Sequence, residues 1–129
     1  MKTSIKTICV TGCLGFIGAH FTRAALKRGW RVWGIDMKTY AARPELLKEF
    51  RRWKTFEFHE ADIATLDHLY DVDFVVNFAA ETHVDNSIVD ASRFLHSNII
   101  GVQNLLELIR AKRHYEMPVL LQVSTDEVY

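Results

Sequence analysis

The 129 residues carry sixteen basic and sixteen acidic side chains, and 49% of the residues are hydrophobic. This length and hydrophobic content predict one domain, residues 1–129, with a core of its own. The balanced charge provides no overall field that would attract nucleic acid or an anionic membrane, and no apolar run approaches the ~20 residues that span a bilayer. We therefore expect a cytoplasmic protein that binds neither nucleic acid nor membrane.

Short runs rich in β-branched residues alternate with helical stretches along the chain. The predicted strands are 5–11, 31–36, 55–59, 74–78 and 119–124, and the predicted helices are 16–28, 44–52, 66–70 and 92–113. Strands that alternate with helices indicate a parallel sheet covered on both faces. Right-handed crossovers then predict an α/β fold, a Rossmann-type doubly wound sheet of about five strands in the order 3-2-1-4-5.

The first predicted strand runs directly into a glycine-rich turn that opens a helix. Gly12, Gly15 and Gly18 form a G-x-x-G-x-x-G pattern there, with Phe16 and Ile17 inside it. Gly12 permits the tight turn, Gly15 leaves room for a pyrophosphate, and Gly18 lets the helix approach the sheet. The position between strand and helix indicates a dinucleotide site, with an ordinary glycine turn as the alternative.

Asp36 ends the second predicted strand, eighteen residues after Gly18. A carboxylate at this position can accept hydrogen bonds from the adenosine ribose, which predicts NAD as the cofactor. It would repel the 2′-phosphate of NADP, whereas Lys38 would attract it, and an Asp at a strand end is also a common turn former. Asp62, followed by Ile63, either contacts the adenine amino group or caps the next helix.

Two adjacent carboxylates, Asp126 and Glu127, follow the last predicted strand after Ser124 and Thr125. Parallel sheets bind ligands at the carboxyl ends of their strands. Two acids can act there as proton donor and proton acceptor if their surroundings separate their pKa values. The plainer alternative is a solvated strand exit.

The long predicted helix, 92–113, carries an apolar stripe that is wide enough to cover the sheet and to contact a partner. Its extra apolar residues face either that partner or neighbouring parts of the same chain. Cys9 and Cys13 lack the spacing and companions of a metal site. We expect reduced, packed thiols and no bound metal.

Several motifs together resemble one enzyme family. They are the glycine turn, IDMKTYA at 35–41, AAETHVD at 79–85, NIIG at 98–101 and STDEVY at 124–129. The chain resembles the amino-terminal part of the extended short-chain dehydrogenase/reductases of the NAD-dependent epimerase/dehydratase type. Within that family it is most similar to the nucleotide-sugar 4,6-dehydratases typified by dTDP-glucose 4,6-dehydratase.

The resemblance implies an NAD-dependent reaction on a nucleotide sugar such as dTDP- or UDP-glucose. Bound NAD⁺ would oxidise the C4 hydroxyl and later return the hydride to C6. Glu127 would remove the C5 proton, Asp126 would protonate the departing C6 hydroxyl, and Thr125 would hydrogen-bond the C4 oxygen.

The resemblance also implies roles for the flanking residues. Ala79, Ala80 and Ser124 would contact the cofactor. Glu81, Thr82 and His83 would border the substrate, without a catalytic role for the histidine. The protein would form a homodimer through helix 92–113.

The family's Tyr-x-x-x-Lys proton-relay pair is absent from these 129 residues, because no tyrosine is followed by lysine four residues later. We therefore expect the cofactor-binding portion of a longer enzyme, which binds NAD weakly and turns nothing over. One alternative is a 4-epimerase or a sugar-acid decarboxylase, neither of which needs an acid and a base for elimination at C6. Another is a non-catalytic NAD-binding module that acts through its long helix.

Overall fold

A five-stranded parallel sheet organises the part of the chain that the computed structural model describes, residues 4–37, 43–80 and 91–124. Its strands are β1 (Thr7–Thr11), β2 (Arg31–Asp36), β3 (Phe56–Glu60), β4 (Phe74–Asn77) and β5 (Val119–Gln122). They lie in the order β3-β2-β1-β4-β5, and every neighbouring pair is parallel. This confirms the predicted Rossmann-type order, which reverses direction between β1 and β4, where such sheets bind ligands.

The described helical segments are shorter than the predicted ones. They are α1 (Phe16–Lys27), α2 (Leu46–Phe50), α3 (Ala91–Leu95), a π-helical turn (His96–Ile100), α4 (Gly101–Arg110) and a 3-10 turn (His114–Glu116). Three of these segments follow one another without a gap from Ala91 to Arg110, so the single helix expected over 92–113 is present over most of that range and contains a π-helical stretch. No helix in the described ranges is long and apolar enough to cross a membrane.

Two hydrophobic clusters cover the two faces of the sheet, because successive side chains of a strand point to opposite sides. One cluster joins Ile8, Val10, Val32 and Val76 to Leu26 of α1 and Phe50 of α2. The other joins Cys9, Trp33, Ile35 and Val75 to Leu105 and Ile109 of α4. The carboxyl edge of the sheet is therefore held between two packed layers.

The predicted helix over 66–70 is wrong, since these residues form an irregular connection between β3 and β4. Leu66 and Leu69 are buried, as the apolar pattern required. The Asn104 amide on α4 donates to the Ile63 carbonyl at 2.7 Å and to the Leu66 carbonyl at 2.8 Å. Because a distant side chain satisfies these carbonyls, burial of the leucines does not need a local helix.

We expect Asn104→Ala to lower the free energy of unfolding by about 1–3 kcal/mol, because two part-buried carbonyls would lose their donor. Urea denaturation followed by circular dichroism measures this change. The exposed neighbour Gln103 provides the control, and Gln103→Ala should change stability by less than about 0.5 kcal/mol. Equal effects of the two substitutions would show that the Asn104 amide does not hold the connection.

Candidate functional site

A tight turn joins β1 to α1 and contacts the end of β2. Gly12 has φ +70°, in the left-handed region that favours glycine. Its amide donates to the Ile35 carbonyl at 2.7 Å, and the Gly15 amide donates to the Gly12 carbonyl at 3.1 Å. The turn is therefore hydrogen-bonded both to itself and to the neighbouring strand.

The three glycines of the turn stand in different surroundings. A Cβ on Gly18 would lie 2.0 Å from the Gly12 carbonyl oxygen, and a Cβ on Gly12 would lie 2.9 Å from the Ala79 amide nitrogen. Among the described residues, a Cβ on Gly15 would come within 4 Å of the Gly12 oxygen alone, at 3.4 Å. Backbone packing therefore requires glycine at 12 and 18, whereas the described neighbours of Gly15, at the amino end of α1, leave room for a Cβ.

Phe16 and Ile17 occupy the first turn of α1, and their side chains are 70% and 60% exposed. Core packing therefore does not explain these two positions. The first amides of a helix have no intrahelical acceptor and carry partial positive charge. Together with the room that the described residues leave beside Gly15, they suit the pyrophosphate of a dinucleotide.

Asp36 anchors the turn from the end of β2. Its Oδ2 accepts a hydrogen bond from the Leu14 amide at 3.0 Å, and the residue is 8% exposed. Sequence reasoning assigned Asp36 to the ribose and missed this structural bond. The carboxylate lies beside the turn, where the predicted ribose contact requires it, and that contact stays a prediction.

Both cysteines are free, buried thiols. Burial raises the pKa of Cys9 to about 12. Burial, followed by the negative charge of Asp36, raises the pKa of Cys13 well above its usual range. Neither thiol is ionised near neutral pH, so neither is a nucleophile there.

A ladder of polar side chains crosses the carboxyl ends of β1, β4 and β5. The Thr11 hydroxyl donates to Oδ1 of Asn77, whose Nδ2 donates to Oε1 of Gln122 at 2.8 Å. The Thr11 oxygen also accepts from the Ala79 amide at 3.3 Å. Sequence reasoning missed this ladder, although each member is a polar residue near the end of an apolar run.

The remaining predicted site residues are only partly described. Ala79 and Ala80 follow β4, and Ala79 lies against the glycine turn. Ser124 is exposed two residues after β5. The predicted substrate residues Glu81, Thr82 and His83 and the predicted catalytic residues Thr125, Asp126 and Glu127 lie outside the described residues.

Asp62 caps the turn that follows β3, whereas the predicted cap belonged to a helix that the structure does not form there. Its Oδ1 accepts from the Ala64 amide at 2.9 Å, and its Oδ2 lies 2.7 Å from Nε2 of His96. Ile63 is buried beside it. Sequence reasoning missed His96, because nothing in the local pattern links it to Asp62, thirty-four residues earlier.

A cavity of about 370 Å³ lies next to this histidine. It is lined by Met37, Ser92, Arg93, His96 and Ser97. Met37 directly follows β2, so the cavity adjoins the strand end that carries Asp36. We take the glycine turn, Asp36 and this cavity, which all lie near the carboxyl edge of the sheet, as the candidate site.

The chain is similar to several known proteins. The family model described as GDP-mannose 4,6 dehydratase matches residues 9–129. The dTDP-glucose 4,6-dehydratases of Mycolicibacterium smegmatis and Streptomyces niveus are 43% and 40% identical to the chain. Each match covers 95% of this chain but only 37% and 38% of the relative. The chain thus spans less than two fifths of the length of these curated relatives.

Solved structures show the same architecture. The dTDP-glucose 4,6-dehydratase from Bacillus anthracis, in complex with NAD, has a TM-score of 0.79 and 33% identity. That match covers 96% of this chain and 39% of the other. A UDP-glucose-4-epimerase from Stenotrophomonas maltophila with bound NAD has a TM-score of 0.78 and 25% identity, over 98% of this chain and 38% of the other.

The raised pKa of Cys9 predicts a loss of stability in alkali. Below pH 9 the thiol is neutral in both states, and between pH 9 and 12 only the unfolded chain ionises. Unfolding free energies measured over that range should therefore fall more steeply in the wild type than in Cys9→Ala, by about 1.4 kcal/mol per pH unit. Parallel pH profiles for the two proteins would contradict the raised pKa.

Proposed function

Because this chain belongs to the family described by the GDP-mannose 4,6 dehydratase model, we propose that it is the NAD-binding portion of a nucleotide-sugar 4,6-dehydratase. The proposed substrate is a nucleotide sugar of the dTDP- or UDP-glucose type. The observation that carries the proposal is the glycine turn, in which backbone contacts require Gly12 and Gly18 while the described neighbours of Gly15 leave room beside it. This arrangement suits a pyrophosphate at the amino end of a helix.

The residues around the turn would hold NAD in an extended arrangement. The first amides of α1, from Phe16 to Gly18, would bind the pyrophosphate, and Asp36 would accept hydrogen bonds from the adenosine ribose. Ala79, Ala80 and Ser124 would line the path toward the nicotinamide. The buried charge of Asp36 favours NAD over NADP, because a 2′-phosphate beside it would be repelled.

When bound, NAD⁺ would supply the oxidation at C4 of the sugar and the later reduction at C6. Glu127 would act as the base that takes the C5 proton, which the C4 ketone makes acidic. Asp126 would donate a proton to the leaving C6 hydroxyl, and Thr125 would hydrogen-bond the C4 oxygen. Glu81, Thr82 and His83 would border the sugar.

The two adjacent acids, Asp126 and Glu127, favour a dehydratase over the alternative functions. A 4-epimerase or a decarboxylase needs neither a proton donor at C6 nor a base at C5, and a non-catalytic module needs neither group. The 129 residues lack the Tyr-x-x-x-Lys pair. We therefore propose the full reaction only for a longer protein that contains this sequence and supplies that pair.

Exposed apolar side chains on the helical region 91–110 support the proposal of a homodimer. Leu95, Ile99, Ile100 and Leu106 are each about half exposed, although all four are large and apolar. Water-exposed apolar patches of this kind are typical of association surfaces. We propose that a second copy of the protein covers this patch.

Two glycine substitutions separate binding from folding. Gly15→Ala should change the free energy of unfolding by less than about 1 kcal/mol, since its Cβ meets little. It should nevertheless weaken NAD⁺ binding roughly tenfold or more, because the methyl group would enter the pyrophosphate space. Isothermal titration with NAD⁺ measures the affinity, and urea denaturation measures the stability.

Gly18→Ala is the matched comparison. Its Cβ would collide with the Gly12 carbonyl, so it should cost about 3 kcal/mol of stability. Undiminished NAD⁺ binding by Gly15→Ala, or no NAD⁺ binding by the wild type, would contradict the proposed cofactor site.

The dehydratase reaction itself requires the longer protein. Glu127→Gln in that protein should stop the reaction after oxidation, so that reduced cofactor absorbing at 340 nm accumulates and no 4-keto-6-deoxy product forms. An epimerase should largely survive the same substitution. Wild-type turnover without 4-keto-6-deoxy product would contradict the dehydratase assignment.

A charge placed in the apolar patch tests the dimer. We expect Leu106→Lys to shift the sedimentation coefficient from dimer to monomer, because a lysine would be desolvated in the interface. Ile5→Lys is the control, since Ile5 is also exposed and apolar but precedes β1. A wild-type protein that sediments as a monomer, or equal behaviour of both variants, would refute the proposed interface.

A further inference from the structure

We infer that the amino edge of the sheet, opposite the candidate site, is a surface that binds an anionic phospholipid membrane. The balanced total charge predicted no such attraction, but a total does not report where the charges lie. In the fold, basic side chains from strand starts and helix ends collect at this edge, whereas the acids Asp36, Glu60 and Asp62 lie at the carboxyl edge. The inference does not depend on the proposed cofactor or reaction.

Basic residues stand at the starts of β1, β2 and β3. Lys6 directly precedes β1, Arg31 begins β2, and Lys54 lies two residues before β3. The Arg31 amide donates to the Lys6 carbonyl at 2.9 Å, and the Val32 amide donates to the Thr55 carbonyl at 2.8 Å. Backbone bonds therefore hold the three strand starts about 5 Å apart, side by side.

Helices α1 and α2 end at the same edge, because a helix that joins parallel strands runs back toward their amino ends. α1 ends with Lys27 and is followed by Arg28, and α2 is followed by Arg51 and Arg52. These side chains are exposed, as are the three at the strand starts. We call the cations at the strand starts and at these two helix ends the basic edge.

Glu49 shows that the two helix ends lie close together. Its carboxylate accepts a hydrogen bond from Arg23, which lowers its pKa, and the charges of Arg23, Lys27 and Arg52 lower it further. Lys27 and Arg52 therefore lie near one acid that Arg23 already occupies. In the described part of the chain, no side chain of the basic edge forms an ion pair, so its charge is available to a partner.

The helix dipole explains only part of this arrangement. Cations near the carboxyl end of a helix are stabilising, which accounts for those that end or follow α1 and α2. It does not account for Lys6, Arg31 and Lys54, which belong to strand starts. Asp73, directly before β4, and Glu57, in β3, each offset one charge, and the edge keeps a net positive charge.

Two tryptophans favour a membrane over nucleic acid as the partner. Trp30 directly precedes Arg31, and Trp53 lies between Arg52 and Lys54. Both indoles are half-buried and pack against the core cluster on their side of the sheet. Tryptophan beside basic residues is typical of the membrane–water interface. Rings that pack on a core are not free to stack on bases, as binding of a single-stranded nucleic acid would require.

A protein bound in this way would turn its candidate site away from the membrane. A strand of the length of β1 separates the two edges of the sheet by about 16 Å. Salt at physiological concentration screens charges over about 8 Å. The lipid surface would therefore not repel an anionic nucleotide at the carboxyl edge.

Co-sedimentation with lipid vesicles tests the inference. The wild type should bind vesicles made of equal parts phosphatidylglycerol and phosphatidylcholine, and about 1 M salt should release it. It should not bind vesicles of phosphatidylcholine alone. Each basic residue near an anionic surface strengthens binding about fivefold, so Arg52→Glu, which replaces an attraction by a repulsion, should weaken binding about 25-fold.

Arg43→Glu is the matched control, because it changes the total charge by the same amount at the opposite end of α2. It should bind the anionic vesicles as the wild type does, and so should Arg52→Lys, which keeps the charge. Lys6→Glu provides a second test at a strand start and should weaken binding as Arg52→Glu does. Urea denaturation of each variant confirms that folded proteins are being compared.

Three results with vesicles would overturn the inference: no binding of the wild type to anionic vesicles, equal binding to both kinds of vesicle, or unchanged binding by both Arg52→Glu and Lys6→Glu. A short duplex DNA, followed by fluorescence anisotropy at the same salt concentration, provides a further test. Binding of that DNA as tightly as the anionic vesicles would also overturn the inference, because the edge would then serve nucleic acid. None of these results bears on NAD binding.

Discussion

The close contact between the Gly18 backbone and the Gly12 carbonyl is the constraint on which the candidate site depends. It places the amino end of α1 against the turn that follows β1, so closely that no side chain would fit at position 18. The amides of Gly12 and Leu14 then bond to the end of β2, one to a backbone carbonyl and one to Asp36. Helix, turn and two strands are thereby fixed as one unit, which can present helix amides to a phosphate without further rearrangement.

Polar bonds extend this unit across the carboxyl edge of the sheet. Thr11, Asn77 and Gln122 connect β1, β4 and β5 at the carboxyl ends of these strands. Thr11 and Asn77 are buried, so their bonds form in surroundings where an unpaired polar group would be costly. The ladder therefore links the end of β1, which leads into the glycine turn, to the strand that precedes Ser124.

The far side of the site is held by the helical region 91–110. Asn104 satisfies the connection after β3, Gly101 packs on Ile63, and His96 bonds Asp62. These three contacts share one segment, so the connection after β3 can be irregular and still be well fixed. The same segment turns an apolar surface outward, so that one element serves the sheet, the candidate site and the proposed dimer contact.

The sequence by itself determined the strand order, the two-sided core, the glycine turn and the position of Asp36. These features follow from short-range patterns: alternation of strand and helix, glycine where backbone segments meet, and an acid at a strand end. The irregular connection at 66–70, the π-helical turn and the His96–Asp62 pair were decided by the tertiary structure. Periodicity reports which side chains are buried, but it does not report which distant group satisfies a given carbonyl or carboxylate. Partners more than thirty residues apart meet only once the sheet has brought their segments together.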